Sequence, residues 1–188
     1  NKDTKDQKND FCLGLKFFFD IADYITVNIS SPNTEGLRRY QEPDALSRLL
    51  GVLNGERNKP LFVKLPPYSD KAGKRNVLAL VHACSVAGVN GVTAINTVPI
   101  EDRRLAIGRG GVSGQLIKED MLRILSDIRR EVDPSFLINA CGGIGSTRDA
   151  LEALDAGANT VQLYSSMVFR GPGLINEIVR GIARASNT

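Results

Sequence analysis

SVAGVNGVTAIN (85–96) and LDAGANTVQLYS (154–165) are two copies of one pattern: a helical ending, Ala-Gly, one residue, Asn, one residue, Val, then a strand-forming run. Gly88 and Gly157 stand where a helix gives way to a strand, a position whose left-handed backbone suits a residue without a Cβ. A connection repeated in the same register predicts a repeated βα unit, which places the chain among alternating α/β architectures.

Outward from this pair, five short runs rich in β-branched residues recur: DYITVNIS (23–30), PLFVKLP (60–66), GVTAINT (91–97), SFLINAC (135–141) and NTVQLYSS (159–166). Their continuous apolar character predicts strands buried on both faces, as in a parallel sheet. Helical stretches lie between them. PDALSRLLGVL (43–53) carries a stripe of Leu46, Leu49, Leu50 and Leu53. Ser69-Asp70 caps a helix running to about Ala87, and LIKEDMLRILSDIRREV (116–132) spaces its leucines and isoleucines one turn apart. Ser146 or Thr147 opens DALEALDA (149–156), with Asp149 placed for a capping box, and GPGLINEIVRGIARA (171–185) closes the chain as an amphipathic helix. Five alternations without an antiparallel hairpin signal predict a parallel sheet with right-handed crossovers.

Two architectures fit this order, an open doubly wound sheet and part of a (β/α)8 TIM barrel. The first calls for G-x-G-x-x-G after its first strand, where SSPNTEG (30–36) stands instead. The barrel predicts function at the carboxyl ends of the strands, with a phosphate site after the last two. Such barrels need about 250 residues. At 188 residues the chain would be a single, incomplete barrel domain over 1–188, with open edges at its first and last strands. A first residue of Asn rather than Met suggests the same, a piece of something longer.

Composition narrows the function classes. With 42% hydrophobic and 24% charged residues the chain is not a disordered tail, and its glycines follow no collagen period. A scattered net charge of +3 gives no argument for nucleic acid. The longest tempting apolar stretch, LKFFFDIA (15–22), is broken by Asp20, and the polar NKDTKDQKND start is unlike a signal peptide. Cys12, Cys84 and Cys141 are odd in number and widely spaced, which fits neither a disulfide framework nor a zinc site, so a reducing compartment is expected. His82, in VLALVHACSVAG (77–88), is the only histidine; it reads as a helix residue, and its solitude removes a Ser-His-Asp triad and any His-rich metal site.

The strand ends carry Asn28 to Thr34, then Lys64, Asn96-Thr97, Gly142-Gly143 and Tyr164-Ser165-Ser166. Gly142-Gly143 lets backbone N–H groups approach an anion, and amides from the Tyr164-Ser165-Ser166 loop can converge on the same phosphate. GRGGVSG (108–114) is either a surface loop or a backbone that lies against a flat ring or a phosphate. Lys64 is the one charge in its apolar run, so it either faces the mouth, where it would stabilise an anionic ring, or snorkels from an edge. Asn28, Asn33 and Asn96 offer amide groups suited to an imide or carboxylate, though amides also shape loops. Ser31 has no histidine to activate it; as a base it would need a relay, with Thr34 a first step.

ADYITVNISSPNTEGLR, VKLPP, INT, GRGGVSG, CGGIGS and TVQLYSS, in this order and spacing, resemble the dihydroorotate dehydrogenase family from about Asn1 to Ala185. Serine at position 31 resembles the membrane-associated, quinone-using class 2 enzymes; the soluble class places cysteine there. The resemblance implies the last five βα units of an FMN-binding barrel that oxidises dihydroorotate to orotate in pyrimidine biosynthesis. Ser31 would be the base at C5, while C6 delivers hydride to N5 of FMN. Asn28 would touch flavin and substrate, and Asn33, Asn96 and Thr97 would hold the pyrimidine and its carboxylate. Lys64, Ile95, Gly114, Gly143, Tyr164 and Ser165 would contact FMN, the last three around its phosphate. Ile95 and Val98 stand where threonines are usual, and EDRRLAIGRGGVSG (101–114) departs from the usual acidic version of that loop. The barrel's first third and the helical pair of the quinone entrance have no counterpart in the chain. Through such an amino-terminal region the full-length parent would meet a bacterial or mitochondrial inner membrane.

Overall fold

The computed structural model describes residues 6–31 and 36–186. Five strands form one parallel sheet in the order β1 (Ile25–Asn28), β2 (Leu61–Lys64), β3 (Gly91–Ala94), β6 (Leu137–Cys141) and β7 (Thr160–Gln162). Each new parallel strand is laid on the same side of its predecessor. With crossovers of one hand, that order puts every connecting helix on one face, as in a barrel wall; a doubly wound sheet reverses direction at a switch point.

The repeated connection that opened the sequence reading has a physical counterpart. Gly88 and Gly157 take positive φ, at 70° and 109°. The asparagine two residues on then ties the new strand to its predecessor: Asn90 Oδ1 accepts from Leu61 N at 2.9 Å, and Asn159 Oδ1 from Ile138 N at 2.8 Å. An arginine from the preceding unit locks each corner. Arg57 reaches Asn90 Oδ1 at 2.6 Å and Gly88 O at 2.8 Å; Arg129 reaches Asn159 Oδ1 and Gly157 O, both at 2.9 Å.

The helices are α1 (Gln7–Phe18), α2 (Pro43–Glu56), α3 (Lys71–Val86), α4 (Lys118–Arg129), α5 (Thr147–Asp155), α6 (Ser165–Arg170) and α7 (Gly173–Ala185). The leucine stripe of α2 is 0–1% exposed, and Asp70 caps α3 through Gly73 N. Ser146 caps α5; the carboxylate of Asp149 turns to Gly145 N–H rather than to the N–H of the cap residue. His82 lies on the exposed side of α3. None of the helices among the described residues is long and apolar enough to cross a membrane.

Three expectations need correction. The interval after β3 holds an antiparallel hairpin, β4 (Val98–Glu101) with β5 (Arg109–Val112), in which GRGGVSG is largely strand. Gly110 and Gly111 made it read as loop, but in a two-stranded ribbon they allow close approach: a Cβ on Gly111 would run into the side chain of Thr97. Second, β7 stops at Gln162 and α6 starts at Ser165, so the end of the run 159–166 that read as strand opens a helix. Third, the strands are not apolar on both faces. Val27, Val63, Val92 and Ile138 share one row in the helix-packed core, whereas Asn28, Lys64, Thr93, Asn139 and Thr160 share the opposite face. There Asn139 is only 4% exposed and is satisfied by Thr160 Oγ1 at 2.6 Å.

Candidate active site

The carboxyl ends of the strands surround a cavity of about 210 Å³. Lys64 from β2, then Ile95, Asn96 and Thr97 behind β3, form one side. Ser113, Gly114 and Ile117, after the hairpin, form a second; Cys141 to Ile144, Gln162 and Tyr164 to Ser166 close the remainder. Eight of the predicted site residues, Lys64, Ile95, Asn96, Thr97, Gly114, Gly143, Tyr164 and Ser165, thus line one space, with Tyr164 77% exposed. Asn33 and Thr34 lie outside the described residues.

Asn28 borders this cavity through a hydrogen-bonded cluster. Its Oδ1 lies 3.1 Å from both the amide N and the Oγ of Ser30, and 3.4 Å from Asn96 Nδ2. Asn96 Nδ2 also donates to Ser30 Oγ at 2.9 Å, and Asn96 Oδ1 accepts from Thr97 N at 2.8 Å. Ser30, 7% exposed, therefore orients two predicted ligand-facing amides, and nothing in the strand-end residues singled it out. The signal available was period two: it follows Asn28 by two positions and so points to the same face. Ser31, the next residue, is half-buried.

Lys64 points into the cavity rather than out from an edge, with Nζ 3.6 Å from Cys141 Sγ. Ile95 is 1% exposed and presents a hydrocarbon wall where a threonine would have offered a hydroxyl. Across the mouth, Ser113 Oγ and Ser165 Oγ are 2.9 Å apart, joining the end of the hairpin to the start of α6.

Behind Gly142-Gly143 stands a charged anchor that the capping-box reading noticed only in part. Asp149 accepts from Lys118 Nζ (2.5 Å), Ser146 Oγ (2.8 Å), Gln115 Nε2 (3.0 Å) and Gly145 N (3.1 Å). Burial by itself would raise its pKa; these four donors outweigh that and hold it at about 2. Lys118, also paired with Glu152 at 2.6 Å, is held above its usual value mainly by the bond to Asp149.

The site's residues suit a flat ring that carries a phosphate, as a flavin nucleotide does. Gly143 has φ 74°, and a Cβ there would lie 2.5 Å from Lys118 Cβ and 2.6 Å from its Cα, so the bare backbone itself forms that wall. Ile95 and Ile117 give apolar surface for a ring, Lys64 a cation, and the glycine turn backbone donors for a phosphate.

The family model for dihydroorotate dehydrogenase matches residues 1–185. The chain belongs to the dihydroorotate dehydrogenase family. Relatives named dihydroorotate dehydrogenase (quinone) from Rhizobium meliloti strain 1021 and Rhizobium johnstonii are 38% and 37% identical over 97% and 98% of the chain. Those alignments span 53% and 54% of the relatives, so the chain covers about half their length. The Eimeria tenella enzyme solved in complex with ferulenol matches with a TM-score of 0.87 at 28% identity, over 100% of this chain and 56% of that one. Its ligand-free form gives 0.86, also at 28% identity, over 100% of this chain and 58% of that one. The sequential five-stranded sheet is accordingly that of a dihydroorotate dehydrogenase TIM barrel, which decides between the two architectures left open by the sequence.

Proposed function

We propose that the chain is the carboxyl-terminal, active-site-bearing part of a quinone-type dihydroorotate dehydrogenase, which oxidises dihydroorotate to orotate in pyrimidine biosynthesis. The observation that carries this is the convergence of Lys64, Asn96, Thr97 and Gly143 on one cavity at the strand ends, in a chain of this family. FMN, when bound, supplies the acceptor for the hydride that leaves C6.

The chain's own residues do the rest. Ile95 and Ile117 exclude water from one side of the cavity, and the Lys64 ammonium stabilises negative charge that develops at the ring edge. The Gly143 turn, Tyr164 and Ser165 hold the phosphate, and Gly114 lets backbone approach the ring. Asn28 and Asn96, fixed by Ser30, turn amide groups towards the pyrimidine, joined by Thr97 and Asn33 at the carboxylate. Ser31 takes the proton from C5. Its hydroxyl must pass that proton onward, because a serine alone holds its own too tightly near neutral pH; Thr34 is the nearest candidate in sequence. Electrons then leave to a quinone at an inner-membrane surface, met through a part of the protein beyond this chain.

The test uses the full-length protein that carries this chain. Dihydroorotate should bleach its bound flavin, and Ser31→Ala should slow bleaching by about 10²–10⁴-fold with flavin binding intact. Unimpaired bleaching in the variant removes Ser31 as base. A flavin that dihydroorotate leaves oxidised, but another substrate reduces, makes the protein an oxidoreductase of the same fold with different chemistry.

A further inference from the structure

The buried carboxylate behind the glycine turn has a route to the cavity. Asp149 is 7% exposed and does not line the cavity itself. Gln115 Nε2 lies 3.0 Å from Asp149 Oδ2 and 2.7 Å from Gly143 O, so the two hydrogens of one amide nitrogen serve two acceptors. That double demand fixes which way the amide faces: turned over, Oε1 would confront two oxygens.

The consequence falls on the peptide between Gly143 and Ile144. The one cis peptide among the described residues is Ala94–Ile95, so this peptide is trans, and its N–H points opposite to its C=O. Its carbonyl is committed to Gln115, which lies outside the cavity lining, whereas Ile144 is part of that lining. The next N–H, of Gly145, is drawn the other way by Asp149 at 3.1 Å.

We propose that Asp149 and Gln115 are positioning residues: acting through Gly143 O, they aim the Ile144 N–H at the cavity as a fixed donor for the phosphate monoester of a bound flavin nucleotide. This rests on the flavin reading above and adds residues that touch neither cofactor nor substrate. The arrangement is rigid at both ends. Lys118 stands where a Cβ on Gly143 would reach, and the same Lys118 pairs with Asp149, so rotating the Gly143 carbonyl away would break its bond to Gln115, which Asp149 holds in place.

The experiment compares FMN with riboflavin, which lacks only the phosphate, in the full-length protein and its Gln115→Met variant. Methionine keeps the length of the side chain and removes both donors. The ratio of FMN to riboflavin affinity should fall about tenfold, the scale of one charge-assisted hydrogen bond, while riboflavin affinity holds. Inorganic phosphate should compete with FMN in the parent protein and compete more weakly in the Gln115→Met variant. Equal weakening of both flavins marks a general structural role and overturns the inference, as does an unchanged ratio. A parent protein that binds neither flavin overturns the flavin reading itself, and this inference with it. Asp149→Asn, assayed at a temperature where its circular dichroism matches the parent, should lower the same ratio; retention of the full ratio in that folded variant also overturns the relay.

Discussion

Asp149→Asn should destabilise the fold by an amount that depends on pH. In the folded chain the Asp149 carboxyl is held at about 2 against a usual 3.8. At 1.36 kcal/mol per unit, that gap contributes about 2 kcal/mol near neutral pH. The sign follows from the direction: a depressed folded value means the unfolded chain binds the proton first, so the stabilisation is complete above about pH 5. It is lost as pH falls from the unfolded value towards 2, and about half remains near pH 3. Asparagine keeps the shape but carries no charge for Lys118 and turns an NH2 towards groups that are donors themselves. Urea midpoints of parent and variant, taken from pH 7 down to pH 3, should therefore differ most at pH 7 and converge as the pH drops. Lys118 gives the same pair an alkaline limit: its raised pKa means its share is present below about 10.5 and lost as pH rises through the higher folded value. A gap of constant size from pH 7 to pH 3, or none at pH 7, refutes the assignment of the stabilisation to this carboxylate.

Two further outcomes follow from packing. Gly91→Ala should cost about 3 kcal/mol, because its Cβ would strike the carbonyl group of Leu137 in the adjoining strand; the melting temperature should drop by about 6–12 °C. Gly14→Ala, with open space around its site inside α1, is the control and should instead stabilise by about 0.5–1 kcal/mol. Among the thiols, burial pushes Cys84 up to about 12, so alkylation at pH 8 in native buffer should leave it unmodified. Peptide mass mapping should then find label on the half-buried Cys12 and Cys141 and reach Cys84 only after unfolding; prompt native labelling of Cys84 would contradict the packing around α3.

What was legible in the sequence was local or repeated. The Ala-Gly-x-Asn-x-Val connection marked the strand starts because a left-handed glycine and a corner asparagine are both obligatory there, and Leu46 to Leu53 marked a helix face by spacing alone. The hairpin was hidden because Gly108, Gly110 and Gly111 weaken strand propensity, whereas their reasons are tertiary or conformational: a φ of 68° at Gly108, Leu105 beside Gly110 and Thr97 beside Gly111. The strands looked uniformly apolar because short runs dilute the alternation; Asn28, Lys64, Thr93, Asn139 and Thr160 become one polar row only once register is known.

The candidate site was legible for a different reason, which lies in topology. When consecutive strands run parallel and are laid down in one direction, all their carboxyl ends fall on one rim, and a residue's place at a strand end nominates it without knowledge of its partners. Nomination stops there. Lys64 meets Cys141 across 77 residues of chain, Asn96 meets Ser30 across 66, and Gln115 meets Gly143 across 28. Such pairs depend on the register of strands and on the turn of the hairpin, neither of which a spacing pattern encodes. The groups at the rim could therefore be nominated from sequence, whereas the contacts by which Ser30, Gln115 and Asp149 act on them from behind emerge only where pairing brings separate segments together.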